Sequence, residues 1–327
     1  MFFLTMIIGT LITISSYSWM SMWIGLEINL LSIIPLLKSP NNLFPAEAAF
    51  KYFITQSMAS TIFIFSMIMN FNLMEQINGF TEISNIIFLM SIFIKLGAAP
   101  FHAWFPEVLE GLSWIKSLLM LTWQKVAPMI IILQNFKLNF FMISIILLSA
   151  LIGSILGLNQ ISMRKIMAYS SINHISWMIS SMISTKMIWM IYFLIYSLIS
   201  ISIILTLNSN KIYYLHQINN FKYNKILNLL LMLNFLSLGG LPPFLGFFPK
   251  WLTINFLLGN NFMIAILLIM FTLMSLFVYT RILFASMVLL NSENKSIVTQ
   301  KPNIKMVLLN FTSLISLMFC PLMFNYI

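Results

Sequence analysis

Long apolar runs, separated by short polar stretches, repeat from one end of the chain to the other. Read as membrane-crossing helices, they predict eleven spans, near 2–15, 18–37, 47–70, 83–105, 112–135, 139–158, 164–184, 187–208, 226–257, 262–285 and 305–325. The longest connectors, near 209–225 and 286–304, are polar links too short to fold as domains. Lys38, Lys116, Arg164, Lys165, Lys211, Lys222, Lys225, Arg281, Lys295, Lys301 and Lys305 lie in or beside the loops after even-numbered spans, whereas Lys137 and Lys186 alone follow odd-numbered ones. The positive-inside rule then places the N-terminus on the inner side of the membrane and, with eleven spans, the C-terminus outside. An even count would scramble this asymmetry.

Composition narrows the class further. Of 327 residues, 60% are hydrophobic and 7% charged, against about 25% charged in a soluble globule. The fold class expected is an all-α polytopic membrane protein. A single cysteine, Cys320, excludes an internal disulfide and any cysteine-ligated metal or iron–sulfur site. The eleven glycines form neither GxGxxG nor a P-loop, so nucleotide chemistry belongs to another chain. A net charge of +10 is scattered over short loops, which fits an anionic lipid leaflet and not nucleic acid. No cleavable targeting segment is visible ahead of Phe2-Phe3-Leu4.

Lys95 changes the picture. It is the only formal charge between Glu82 and Glu107. At ~1.5 Å per residue it sits near the middle of a ~30 Å hydrocarbon layer, where a charge costs at least ~2.5 kcal/mol. Pro100 offers no N–H to the carbonyl of Leu96, and Gly97 loosens the backbone beside it. The helix is therefore expected to break next to the charge, and irregular backbone at that depth survives only inside protein or along a water-filled cavity. Four more charges fall inside spans: Glu27 on the second, Lys51 one turn into the third, Lys125 in the fifth and Lys250 in the ninth. Pro128 frees the carbonyl of Gln124 beside Lys125. Gly239-Gly240-Leu241-Pro242-Pro243 interrupts a ninth span too long for one straight crossing and frees the carbonyls of Leu238 and Gly239 near Lys250.

The two broken spans, fourth and ninth, are five apart and so cross in opposite directions. That predicts an inverted repeat of five-helix halves meeting at two discontinuous helices: residues 1–137, residues 138–290, and a connector with a last transmembrane helix over 291–327. Glu27, Lys95, Lys125 and Lys250, with His174 of the seventh span titrating near neutrality, can form a lateral chain for protons bridged by water. One acid cannot neutralise three lysines. His102 is a candidate entry or exit group. The remaining features read as packing: a small-residue ridge of Ser149, Gly153 and Gly157, dispersed methionines, and Trp19, Trp23, Trp104 and Trp114 as interfacial anchors.

Gly25-Leu26-Glu27-Ile28-Asn29, Glu47-Ala48-Ala49-Phe50-Lys51-Tyr52, Lys95-Leu96-Gly97-Ala98-Ala99-Pro100-Phe101-His102, Leu121-Thr122-Trp123-Gln124-Lys125-Val126-Ala127-Pro128, Arg164 through Ser171, and Leu238-Gly239-Gly240-Leu241-Pro242-Pro243 through Lys250-Trp251 together resemble the chain 2 family of antiporter-like membrane subunits in respiratory complex I, NADH:ubiquinone oxidoreductase. The resemblance covers nearly the whole chain. It implies the shortened animal form of the subunit, in the mitochondrial inner membrane, with its N-terminus on the matrix side and its C-terminus towards the intermembrane space. It also implies a non-redox, proton-translocating role coupled to quinone reduction elsewhere, with other membrane-arm subunits and lipid, cardiolipin included, as neighbours. NADH, FMN, iron–sulfur clusters and ubiquinone would belong to the complex and no cofactor to this chain. Glu27 would tune the proton affinity of Lys95, Lys125 would be the central connecting lysine, Lys250 the lysine of the second broken helix, and Lys51 a further lysine of the polar axis. Two rivals remain open: a self-sufficient cation/proton antiporter and a passive membrane-arm scaffold.

Overall fold

The computed structural model describes residues 1–38, 43–73, 78–136, 138–218, 225–288 and 310. Among them the chain forms thirteen α-helices and no strand: α1 (Phe2–Ser15), α2 (Trp19–Leu37), α3 (Leu43–Leu73), α4 (Asn78–Leu96), α5 (Trp104–Gly111), α6 (Trp114–Leu121), α7 (Trp123–Gln134), α8 (Phe140–Leu158), α9 (Met163–Ser184), α10 (Lys186–Ser209), α11 (Lys225–Gly239), α12 (Phe247–Asn260) and α13 (Phe262–Val288). The fourth, fifth and ninth expected runs each fall into two helices. The expected run 305–325, apart from Asn310, lies outside the described residues, as do Lys137, Lys222, Lys295, Lys301, Lys305 and Cys320.

Among the described residues, six stretches are long and apolar enough to cross a membrane: Trp19–Leu37, Leu43–Asn70, Trp114–Gln134, Phe140–Leu158, Lys186–Ser209 and Phe262–Phe284. α9 is not among them, and its surroundings explain why. Every residue from Ser170 to Met182 is buried, so this helix is solvated by protein. Its hydroxyls return to its own backbone, Ser176 to Asn173 O (2.6 Å), Ser180 to Trp177 O (2.8 Å) and Ser181 to Met178 O (2.7 Å). Such back-bonding removes the polar penalty without any partner helix.

The chain divides into two compact units, Met1–Ile145 and Ile146–Ile327. In the first, α3 packs on α2, α4 and α5, and α7 packs on α1 and α4. In the second, α9 is flanked by α10, α12 and α13, and α11 rests on α10 and α13. The small-residue ridge on α8 does meet a neighbour, since a Cβ on Gly153 would stand 2.8 Å from Asn173 N and 3.0 Å from Tyr169 O of α9.

The tightest crossing in the first unit joins α1 to α2. A Cβ on Gly9 would lie 2.9 Å from Asn29 N, and one on Gly25 would lie 2.6 Å from Thr13 Cγ2 and 2.9 Å from Gly9 O. Backbone meets backbone there, and this contact fixes the rotation of α2 that carries Glu27 and Asn29. Gly25→Val is expected to force the helices apart at a cost of about 1–3 kcal/mol, lowering the yield of folded chain recovered from membranes. Gly259→Val, where a Cβ would meet nothing within 4 Å, serves as the control and should leave the yield unchanged.

Candidate functional site

A helix that ends in the middle of a bundle leaves its last carbonyls without N–H partners. At the first break α4 stops at Leu96, and Gly97 turns the chain with φ +71°, a region that suits glycine alone. Gly97 N and Ala98 N donate back to Ile94 O and Phe93 O at 3.2 and 3.1 Å. Side chains also reach these carbonyls: Trp104 Nε1 donates to Ile94 O (3.1 Å) and Gln56 Nε2 to Lys95 O (3.4 Å). Trp104 is therefore an interior cap, and it and Trp114 are 9% and 1% exposed. Neither has the exposed surface expected of an interfacial anchor. The chain resumes as α5, which runs to Gly111 and so beyond the span end expected near 105.

The amine of Lys95 ends 3.7 Å from Glu27 Oε1, with the lysine side chain 4% exposed and the glutamate side chain 24%. This pair is in contact but outside hydrogen-bond distance, and Lys95 Nζ has no hydrogen-bond partner among the described residues. Two helices, α2 and α4, thus bring together two of the groups that the sequence singles out in the first unit.

The second break answers the same problem differently. α11 ends at Gly239, Gly240 turns with φ +79°, and α12 begins at Phe247. The freed carbonyls of Leu238 and Gly239 accept from Lys250 Nζ at 3.2 and 2.8 Å. A Cβ on Gly240 would lie 2.8 Å from Lys250 Cδ, so any larger residue there would displace the lysine side chain from this position. The amine also stands 5.9 Å from the centre of the Trp177 ring, a distance at which an aromatic face attracts a cation.

Lys125 is buried on α7, with its amine 5.8 Å from the Phe105 ring centre. The interruption near it falls at Thr122 (φ −112°, ψ −71°), and Pro128 lies inside α7. Pro128 still withholds a donor from Gln124, six residues after the bend. Thr122 closes the end of α6 by donating through N and Oγ1 to Leu118 O at 3.0 and 2.8 Å. His174 is buried on α9, its Nδ1 2.9 Å from the Tyr192 hydroxyl and its ring 5.0 Å from that of Tyr196.

Lys51 stands apart from this buried set. Its side chain is 42% exposed and pairs with Glu47 at 3.0 Å and Glu107 at 3.1 Å, and ion pairs of that exposure contribute little to stability. His102 lies in the connector between α4 and α5 and is partly buried.

A polar cluster beside Lys95 escaped the reading of the sequence. Asn29 and Gln124 exchange two amide hydrogen bonds, at 3.1 and 3.0 Å, and the Tyr52 hydroxyl donates to Gln124 Oε1 at 3.3 Å. These residues, with Gln56 and Lys95, line a cavity of about 10 Å³. The available signal was proximity to charge, because Asn29 follows Glu27 by two residues and Gln124 precedes Lys125.

Known proteins share this architecture. A model of the NADH:quinone oxidoreductase/Mrp antiporter transmembrane family matches residues 16–277. NADH-ubiquinone oxidoreductase chain 2 of Anopheles gambiae is 49% identical over 321 residues, covering 96% of this chain and 94% of that one. The chain of the same name from Mus musculus is 38% identical over 336 residues, covering 98% and 96%. Among solved structures, a chain of respiratory complex I from Thermus thermophilus with bound aureothin aligns with a TM-score of 0.86 at 21% identity, over 98% of this chain and 78% of that chain. A chain of the Mrp complex from Dietzia aligns at 0.79 and 14% identity, over 91% and 62%. The structural likenesses carry the fold, and the sequence matches over nearly full length carry the family: the chain belongs to the NADH-ubiquinone oxidoreductase chain 2 group of the NADH:quinone oxidoreductase/Mrp antiporter transmembrane family.

Proposed function

We propose that the chain is a proton-translocating, antiporter-like membrane-arm subunit of NADH:ubiquinone oxidoreductase, working in the mitochondrial inner membrane beside the other subunits of that complex. The observation that carries this reading is a buried lysine held 3.7 Å from a carboxylate at a broken helix, in a chain of this family. A static role would favour a hydrogen-bonded ion pair. A loose pair leaves the amine able to change partners and protonation state, as a relay group must.

In this reading Lys95 and Glu27 form the exchanging pair of the first half, Lys125 is the central amine, and Lys250 and His174 serve the second half. Lys51 has a peripheral part, in keeping with its exposed pairs. Gly97 and Pro100 in one half, and Gly239, Gly240, Pro242 and Pro243 in the other, keep backbone irregular where protons must pass. The parallel between the two breaks supports an inverted repeat of residues 1–137 and 138–290, followed by a connector and an eleventh span over 291–327. The clustering of basic loops supports a matrix-side N-terminus and an outer C-terminus, and the same loops would meet anionic lipid, cardiolipin included. Redox chemistry and its cofactors are assigned to other subunits.

The test is made in the assembled complex. Lys95→Met should leave assembly intact while coupled proton translocation per NADH oxidised falls by about tenfold or more, the scale of a lost acid–base group. Glu27→Gln should leave assembly intact and slow coupled turnover less severely, since the amine survives without its carboxylate. A Lys95→Met complex that pumps at the wild-type rate would falsify the assignment and favour the scaffold reading. Vigorous cation/proton exchange by the purified single chain in liposomes would favour the self-sufficient antiporter.

A further inference from the structure

The amide cluster next to Lys95 has an orientation that matters. In the Asn29–Gln124 pair each amide donates once and accepts once, and Gln124 Oε1 also accepts the Tyr52 hydroxyl proton. Gln124 Oε1 therefore has both lone pairs engaged, and Tyr52 has its single proton committed. What Tyr52 retains is an oxygen that can only accept. It lines the same cavity as Lys95, together with Asn29, Gln56 and Gln124.

That cavity, about 10 Å³, is near the smallest that holds one water, which needs roughly two to four polar partners. Its walls supply them: the ammonium of Lys95 as donor and the oxygen of Tyr52 as acceptor, beside the amides of Asn29, Gln56 and Gln124. Asn29, Tyr52, Gln56 and Lys95 are all buried, at 3%, 3%, 4% and 8% exposure. A cluster of neutral amides and a phenol buried at this depth is costly unless its members satisfy one another, and here Tyr52 donates to Gln124 while the two amides exchange hydrogen bonds.

We propose that Tyr52, its hydroxyl aimed by the Asn29–Gln124 pair, is a positioning residue that holds one water against the Lys95 amine in the cavity they share. This rests on the relay reading above. When Lys95 deprotonates along this direction, the N–H bond breaks with its electron pair left on nitrogen. The proton passes to a lone pair of the held water, and the excess proton leaves for the neutral amine of Lys125 on α7, whose nitrogen lone pair takes it. Tyr52 and Gln124 exchange no proton with the path. They keep an acceptor facing the water so that it presents a lone pair to Lys95. Removing the amide frees the phenol proton to turn into the cavity and compete with Lys95 for that lone pair.

Tyr52→Phe and Gln124→Met conserve volume and remove one polar atom set each, so both are compared with wild type and with Lys95→Met in the assembled complex. Three quantities are read: the amount of assembled complex, proton translocation per complex, and the slowing of coupled turnover in D2O. Both variants are expected to assemble and to lose about tenfold in coupled turnover, the scale of a misplaced reacting partner, with a D2O slowing at least about twice that of wild type as proton transfer becomes limiting. A purely structural role would lower the amount of complex and leave the rate per complex and the isotope effect at wild-type values. That outcome, with Lys95→Met still uncoupled, overturns the positioning role alone. Full pumping by Lys95→Met overturns the relay reading beneath it.

Discussion

Backbone polar groups in hydrocarbon must find partners within the protein, and both breaks in this molecule are organised by that demand. Each break frees carbonyls at the end of a helix, and each is closed by side-chain donors that the local sequence supplies. At the second break the donor is the functional amine itself, Lys250, seated on Leu238 O and Gly239 O. At the first the work falls to Trp104 and Gln56, which leaves Lys95 free to face Glu27. The same constraint thus yields one lysine tied to backbone and another held loosely beside an acid.

This difference has a chemical meaning. A lysine resting on two carbonyls and an aromatic ring is held by neutral groups, which carry no charge to gain or lose. A lysine beside one carboxylate depends on the charge of that carboxylate, and a change at Glu27 is felt at once at Lys95. Within the proposed relay, the first half is the responsive end and Lys250 the steadier station. The close crossing of α1 on α2 at Gly9 and Gly25 belongs to the same device, because it fixes the face of α2 from which Glu27 reaches out.

Much of this was legible in the residues. Lys95 with Gly97 and Pro100, and Lys250 with Gly239–Pro243, announce their breaks because glycine and proline cluster there beside a charge in the middle of an apolar run. The freed carbonyls of Leu238 and Gly239 follow from the same geometry. Less legible were interactions that depend on which helix lies opposite. Trp104 and Trp114 look like interfacial anchors by position, but both are buried, and Trp104 turns inward to cap the carbonyl of Ile94. Lys51 looks like its buried counterparts, yet Glu107 on α5 draws it into an exposed pair. The bend at Thr122 and the Asn29–Gln124–Tyr52 cluster carry no periodic signal, since uncharged amides and a lone threonine are common in membrane helices and acquire meaning through contacts far apart in the chain. α9 is a different case: it is rich in serine, and each serine hydroxyl is bonded to the backbone of its own helix.

The account stands on Lys95 being wet. Its most direct test is a high-resolution map of the assembled membrane arm in which ordered water is resolved around this amine. The account predicts a water within hydrogen-bond distance of Lys95 Nζ, lodged against Tyr52 and continuous with further waters towards Lys125. A dry, apolar shell around Lys95, with its amine locked in a direct hydrogen bond to Glu27, would contradict it.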